Sequence, residues 1–391
     1  MVMRITLAEE THKFGFTVGS KELDSAISRL SAVLSTSATA KNFLLVGYKE
    51  KLAIVAFTPD TFVYVMLGSG ASDANGYFGF LPQTLQGVIK GRSDMQFSFT
   101  GAECEFKLTK GKYSGKFVTL PVSSDQIATV NSILSTKKDK TADGSGSVLP
   151  RSVLDALKEG ISMTSIKDVY TGTSLLTYMT LSAKGVLTVS SFDSHHLGFY
   201  RAKADAGGNT FRAALPSNHF LTLERMIEGE EVQFYIKSEN IRVEGGNFML
   251  ILPSTQTEEK NYNLIESYIK DLDKPTFTCG FNTGKLISLT DNLFTLHAVN
   301  TAFELAHKDG SSALSVTFST SNGSAKDILK VATTLSSTVA AKIDPRILRD
   351  MLPLINGHAS PQLSIVPGKA FRIDCDSKSG AKVTLVSALV A

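Results

Sequence analysis

Residues 214–253, ALPSNHFLTLERMIEGEEVQFYIKSENIRVEGGNFMLILP, change hydrophobic period part-way along, and that change restricts what the chain can fold into. Phe220, Leu223, Met226 and Ile227 follow the three-and-four spacing of one helical face, with Pro216 suited to the first turn and Gly229 to the stop. Residues 232–236 and 241–244 then alternate apolar with polar, as half-buried strands do, and 248–252 supply a third strand. The same grammar recurs at 81–121, from Pro82 through Leu85, Val88 and Ile89 to Gly91, followed by three strands. It recurs again at 343–389, where Asp344 and Pro345 suit the N-cap and first position, Leu348, Met351, Leu352 and Ile355 share a face, and Gly357 ends the helix. Pro82, Pro216 and Pro345 are spaced by about 130 residues, too long for an ordinary solenoid repeat, so the pattern predicts similar domains in series.

A chain of 391 residues has room for several such domains, each with its own core. Its 42% apolar and 20% charged residues describe an ordinary globular protein. No apolar run approaches the ~18 residues of a membrane span, and Glu9 and Glu10 follow Arg4 too closely for a signal peptide. A cytoplasmic protein without membrane contact is expected. Cys104, Cys279 and Cys375 are odd in number and far apart, which predicts buried thiols rather than a disulfide or a metal site. The formal net charge is only +3, so any polyanion contact has to use a locally sorted surface.

In chain order, an opening strand region runs to Phe16 and is followed by a helix at 21–34, with Leu23, Ile27, Leu30 and Leu34 on one stripe. Strands are expected at 42–48, 51–57 and 61–67, then a loop at 68–76 before the unit beginning at Leu81. The charged, small-residue run STKKDKTADGSG reads as a linker. Beyond it come a helix at 151–160 and strands at 175–182, 186–191 and 197–202, then the unit described first. A helical turn at 264–272 leads to a helix at 284–298, strands at 302–307, 313–319 and 328–334, and the final unit. The expected fold is α+β, with each domain built as a doubled helix-plus-antiparallel-strands unit: domain 1 at 1–134, linker 135–146, domain 2 at 147–263 and domain 3 at 264–391.

Three tandem doubled domains, the run GVLTVSSFDSHHL at 185–197, and the pattern of Glu231, Val232, Asn240, Ile241, Arg242, Gly246, Asn247 and Phe248 together resemble the bacterial-type DNA sliding clamps, the beta subunits of replicative polymerases. The resemblance implies a closed ring of two copies, head to tail, with helices lining the hole and sheets outside. It implies no catalysis and no cofactor or metal. The implied partners are duplex DNA bound without regard to sequence, a second copy of the chain, and a DNA polymerase and clamp loader that dock through short linear motifs.

Sliding requires cations that meet phosphates without reading bases. The polar faces of the expected helices carry Lys21, Arg29, Lys90, Arg92, Arg151, Lys158, Arg225, Lys285, Arg346 and Arg349, although any solvated helix face holds such residues, and Glu224, Glu228 and Asp350 interrupt them. The resemblance adds Lys167 and Tyr170, in a loop equivalent to one that touches DNA in the family, with packing as the other reading of Tyr170. It also implies a partner-peptide cleft walled by Leu175, Ser194, His195, His196 and Leu197, with Ile265 below and Leu385, Val386, Ser387, Ala388 and Leu389 at the chain's end. The family's Gly-His-Arg stands here as Ser194, His195 and His196, and its Met-Pro-Met-Arg-Leu ending as residues 387–391, SALVA, so the peptide preference is expected to differ. A frayed edge strand is the alternative reading of 382–391. At the ring joint, the family pattern points to Tyr113 and Phe117 on one side and Leu293 and Phe294 on the other, with core packing as the other reading of all four.

Asp193, His195 and His196 do not make a metal or catalytic site by spacing, since neighbouring strand residues face opposite ways and no third ligand is placed with them. Nor does either glycine pair precede a Walker-type lysine. The rival to a clamp is a structural or assembly protein of repeated β-rich domains.

Overall fold

The computed structural model describes residues 7, 13–34, 42–68, 70–72, 75–135, 147–164, 176–192, 196–205, 207–216, 219, 223, 226, 231–236, 240–253, 259–294, 303–320, 323–366 and 368–389. Contacts gather the chain into two compact units, 1–151 with 221–254, and 152–220 with 255–391. Each unit therefore takes part of the span expected to form the middle domain.

In the first unit, β1 (Phe14–Val18), β5 (Ala71–Ser72), β7 (Met95–Phe99), β8 (Glu103–Leu108) and β9 (Ser114–Val118) form an antiparallel sheet in the order β5-β1-β7-β8-β9. The alternation read from the sequence sets its faces: Met95, Phe97 and Phe99 of β7 are buried while Gln96 and Ser98 are exposed. A second sheet joins β2 (Asn42–Tyr48), β3 (Lys51–Phe57), β4 (Phe62–Leu67) and β6 (Gly76–Gly79) to β10 (Ser147–Pro150), β15 (Glu231–Ile236), β16 (Asn240–Glu244) and β17 (Phe248–Pro253), in the order β10-β15-β16-β17-β4-β3-β2-β6. The seam is the β17–β4 pairing, Phe248 opposite Val65 and Leu250 opposite Val63. Between the two sheets phenylalanines fill the core, with Phe16 on Phe97 at 4.7 Å and Phe78 on Phe99 at 5.2 Å.

Helix α1 (Ser20–Leu34) buries the predicted stripe, Leu23, Ile27, Leu30 and Leu34. It packs beside α2 (Pro82–Ile89), whose Gln86 donates to Asp24 and Ser28 at 3.0 and 2.8 Å. Pro82 opens α2 and Gly91, at φ +68°, follows its end, as the sequence predicts. Strand β3 is buried on both faces because α1 covers one and α3 (Ser124–Ser135), absent from the sequence expectation, covers the other through Ile127, Val130 and Leu134. The expected loop at 68–76 also contains a strand: β5 pairs with β1, and β6 begins at Gly76, where a Cβ would come within 2.3 Å of the Phe14 ring.

In the second unit, β11 (Leu176–Leu181), β12 (Val186–Phe192), β13 (His196–Lys203), β14 (Phe211–Pro216), β18 (Phe277–Gly280), β22 (Ala332–Leu335), β24 (Ala359–Val366), β25 (Ala370–Asp376) and β26 (Lys382–Ala388) form one antiparallel sheet, ordered β14-β11-β12-β13-β26-β25-β24-β18-β22. Its seam is β13 against β26, with Leu197 opposite Val386. A smaller sheet orders β21 (Gly323–Lys330), β20 (Ala313–Thr320), β19 (Phe303–His307) and β23 (Val339–Ile343). The strand expected at 328–334 is thus the end of β21 and most of β22, and β23 was not foreseen. Pro216 closes β14 instead of opening a helix, because 211–216 pair with β11; His219, Leu223 and Met226 are helical beyond it.

The helices of this unit are α4 (Arg151–Thr164), α5 (Glu259–Asp271), α6 (Thr283–Phe294) and α7 (Pro345–Met351), which runs into a 3-10 turn at Leu352–Ile355. Asp344 caps α7 by accepting from the Arg346 amide at 2.9 Å, and Leu348, Met351, Leu352 and Ile355 are buried as predicted. Helix α4 lies so close to the sheet that a Cβ at Gly160 would be 2.7 Å from the Tyr200 ring and 2.8 Å from Val189. Tyr200 is fully buried and cannot yield. Overpacking costs about 1–3 kcal/mol, while alanine in place of a mid-helix glycine recovers at most about 1. Gly160→Ala should therefore lower stability by about 1 kcal/mol in urea unfolding, and an unchanged or raised midpoint would contradict this packing.

Candidate nucleic-acid and partner interface

The cations on the helix faces fall into distinct groups. Lys21 on α1, Lys90 and Arg92 at the end of α2, Arg151 at the start of α4, Lys285 on α6 and Arg349 on α7 are exposed, and Lys158 on α4 is half-buried. Lys285 stands in the first turn of α6, where its amide donates to Asn282 at 2.9 Å. For two others, Arg29 and Arg346, the partners are defined. Arg29 donates to the Met226 carbonyl at 2.7 Å and lies 6.0 Å from the Phe248 ring centre, tying α1 to the helical residues near Met226. Arg346 closes a fork on Asp344, at 3.0 Å from Nε to Oδ1 and 2.6 Å from Nη2 to Oδ2, so its charge is answered by a carboxylate that is itself only 9% exposed. Lys167, Tyr170 and Arg225 lie outside the described residues.

Of the residues assigned to the partner cleft, the structure gathers Leu197, Ile265 and Val386 in one apolar cluster of the second unit. His196, Leu385 and Ser387 are also buried but alternate with Leu197 and Val386 along β13 and β26 and so belong to the other face of the sheet, and Ala388 and Leu389 are half-buried beyond them. The register sets His196 opposite Ser387 and Leu197 opposite Val386. Helix α5 lays Ile265 and Ile269, and the turn after it Leu272, onto this part of the sheet, where Leu197, Phe199, Tyr178, Val366, Ala370 and Val386 complete an apolar cluster. Tyr178 stacks on the half-buried Phe192 at 5.1 Å. Tyr178, Phe199 and Val366 escaped the sequence reading; Tyr178 and Phe199 sit on strands that it did identify, so period-two alternation along those strands was the available signal. The frayed-edge reading of 382–391 fails for β26, which is hydrogen-bonded on both sides, to β13 and to β25. Leu175, Ser194 and His195 are outside the described residues.

At the expected joint, Phe117 is buried, 6.2 Å from Phe106 and 6.3 Å from Phe78, and Tyr113 packs on Phe106 at 5.5 Å. Both serve the interior or the hairpin turn. Of the large apolar residues of β9, Val118 is the exposed one, at 73% on an edge strand of its sheet. In the second unit the smaller sheet has β21 and β23 as its edges, and β21 carries Ile328 at 60% exposure. Leu293 and Phe294 end α6, and their side chains are not among the described ones.

A polar network joins α4 to the sheet. The Tyr200 hydroxyl donates to Glu159 at 2.8 Å, and Ser379 donates to the same carboxylate oxygen. Burial by itself raises the Glu159 pKa, but hydrogen bonds from Ser379, Tyr200 and Ser377 outweigh it and hold the carboxyl below its usual range. Burial together with the Glu159 carboxylate raises Tyr200. Burial also pushes the Cys104 and Cys279 thiols up to about 12 and Cys375 to about 11. All three cysteines are free and buried, and no cluster of three or more potential metal ligands occurs among the described residues. None of the helices described is long and apolar enough to cross a membrane.

Solved structures match this arrangement over almost the whole chain. The beta subunit of DNA polymerase III from Thermotoga maritima is 12% identical and superposes over 97% of this chain and 99% of that one, with a TM-score of 0.77. This is the sliding-clamp fold. The DNA polymerase sliding clamp from Bacillus subtilis is also 12% identical, over 97% of this chain and 100% of that one, at a TM-score of 0.75. The C. crescentus beta sliding clamp is 15% identical over 97% and 100%, at 0.74; its structure is described with polyethylene glycol at a region proposed to tether the beta motif. No protein-family model and no curated protein matches the sequence. The clamp fold is thus carried by the order and pairing of elements, with few of the same side chains.

Two outcomes follow from these side-chain environments. Because the folded pKa of Glu159 is depressed, its stabilisation is complete above the unfolded carboxyl value of about 4.3 and is lost as pH falls through the folded value. Urea midpoints measured from pH 6 to pH 3 should fall more steeply for the native chain than for Glu159→Gln; parallel profiles would remove Glu159 from the acid response. Iodoacetamide at pH 8 should leave the native thiols unmodified and alkylate all of them in denaturant, whereas rapid native labelling would contradict their burial.

Proposed function

We propose that this protein is a DNA sliding clamp: a homodimeric ring that encircles duplex DNA and tethers a polymerase and other partners, with no catalytic step of its own. The observation that carries the reading is the match of nearly the entire chain to bacterial clamps at TM-scores of 0.73–0.77. The exposed cations at Lys21, Lys90, Arg92, Arg151, Lys285 and Arg349 support sequence-independent contact with phosphates. Arg29 is better read as a packing residue and Arg346 as the ion-pair partner of the α7 cap, Asp344.

We assign the three clamp domains to 1–134, 147–263 and 264–391, with the middle one sharing a sheet with each neighbour. The joint between copies is assigned to the β9 edge of one and the β21 edge of the other. An unpaired strand edge bearing a large exposed apolar residue is a template for pairing with another chain, and Val118 and Ile328 mark two such edges. The partner cleft is placed at the cluster around Leu197, Ile265 and Val386, where a short motif would anchor one or two apolar side chains.

The experiment on the function is topological. Loaded on nicked circular DNA and washed at high salt, the protein should be retained until the circle is linearised and then run off the ends. Equal retention on linear and circular DNA would reject encirclement and favour the structural or assembly reading. For the joint, Val118→Glu or Ile328→Glu should shift the dimer to monomer in sedimentation at micromolar concentration with the fold intact; a persisting dimer would reject these edges. For the cleft, Leu197→Ala with removal of residues 389–391 should abolish polymerase stimulation and leave the oligomer unchanged, and undiminished stimulation would reject that site.

A further inference from the structure

The turn between β8 and β9 brings a second set of cations up to the end of α2. Lys110 and Lys112 project from the turn and Lys90 and Arg92 follow α2; all four are exposed, and among the described residues none of them is in an ion pair. Residues 106–124 contain four lysines and no acid. The two chain segments are fastened together. The Thr109 amide and hydroxyl both donate to the Asp94 carbonyl, at 3.0 and 2.8 Å, and the Leu108 amide donates to the Tyr113 carbonyl at 2.9 Å. The Arg92 guanidinium carbon lies 4.0 Å from the Tyr113 ring centre. Gly111, at φ +138°, allows the turn; a Cβ there would also come within 2.9 Å of Leu108.

We propose that this hairpin turn continues the phosphate-contacting surface at the end of α2 beyond the helix faces, with Lys110 and Lys112 as further contacts to duplex DNA. The proposal rests on the DNA reading given above and extends it to Lys110 and Lys112. Against these four cations the neighbouring acids are Asp94 and, along β8, Glu105 and Glu103, of which Glu103 is already paired with Lys116 at 2.8 Å. Such a surplus attracts a polyanion, and a held but exposed turn loses little entropy on binding one. The β9 edge assigned to the joint begins at Ser114, just past the turn. There the exposed Lys326 and Lys330 of β21 leave Asp327 as the one acid of that strand to answer Lys110 and Lys112, so the turn's cations are better matched by a polyanion than by the second copy.

The test is binding of the full-length protein to a short linear duplex, from which a ring slides off, so that tethering adds nothing. Fluorescence anisotropy between 50 and 200 mM salt yields the slope of log affinity against log salt. With about 0.9 per phosphate contact, Lys110→Gln with Lys112→Gln should reduce that slope by about 2. The Lys110→Arg, Lys112→Arg pair should restore it, with melting temperature and oligomeric state unchanged in both. An unaltered slope overturns the site. So does an unaltered slope with lost self-association, which would assign the turn to a second copy. A native chain that binds no linear duplex overturns the proposal as well, while retention on circular DNA judges encirclement independently.

Discussion

Everything else in this fold depends on backbone hydrogen bonding that crosses from one doubled unit into the next. The β17–β4 pairing fuses four strands from the first 134 residues with four from beyond residue 146, and β13–β26 fuses strands near residue 200 to the last strand of the chain. A broken seam would strand a row of buried amides and carbonyls with no solvent to satisfy them. The helices are then placed by the sheets: α1 and α3 on opposite faces of β3, α4 hard against β12 and β13 at Gly160, α5 across β13 and β26. Such distant pairings make the topology slow to form but mutually reinforcing once formed.

The repeat was legible because period is a local property. Helix and strand assignments around Leu85, Leu348, Phe97 and Val243 survive in the structure with Pro82, Asp344, Gly91 and Gly357 in their predicted positions. Other elements were legible in principle and went unread. Helix α3 announces itself through Ser123 and Gln126, which form a reciprocal capping box at 3.3 and 2.7 Å, followed by Ile127, Val130 and Leu134. Pro216 illustrates the opposite failure: proline suits a helix start, but the pairing of 211–216 with β11 outweighed that preference. The sharing of sheets between domains could not be read, since it depends on partners about 180 residues apart, for which local pattern carries no information.

The candidate interface divides along the same line. That helix faces carry cations is a pattern; which cations are free to meet phosphate depends on tertiary neighbours. Arg29 and Arg346 look equivalent to Lys21 and Lys285 in sequence, yet Met226 and Asp344 claim them. Likewise Tyr113 and Phe117 suggested a joint because they are large and apolar, while the exposed edge residues are Val118 and Ile328. Apolar character alone does not say which face of a strand it occupies; one residue of register decides it.

The central claim is that two copies close on each other through β9 and β21. It is most directly tested by joining those edges covalently around DNA. With Val118→Cys and Ile328→Cys in one chain, a bis-maleimide spanning ~10 Å should cross-link both joints of a dimer loaded on nicked circular DNA, the native thiols being buried and slow to react. The closed-ring account predicts a protein–DNA species that survives denaturation in detergent and is released when the circle is cut. Cross-linked chains that leave intact circles under detergent, or link only into open multimers, would contradict it.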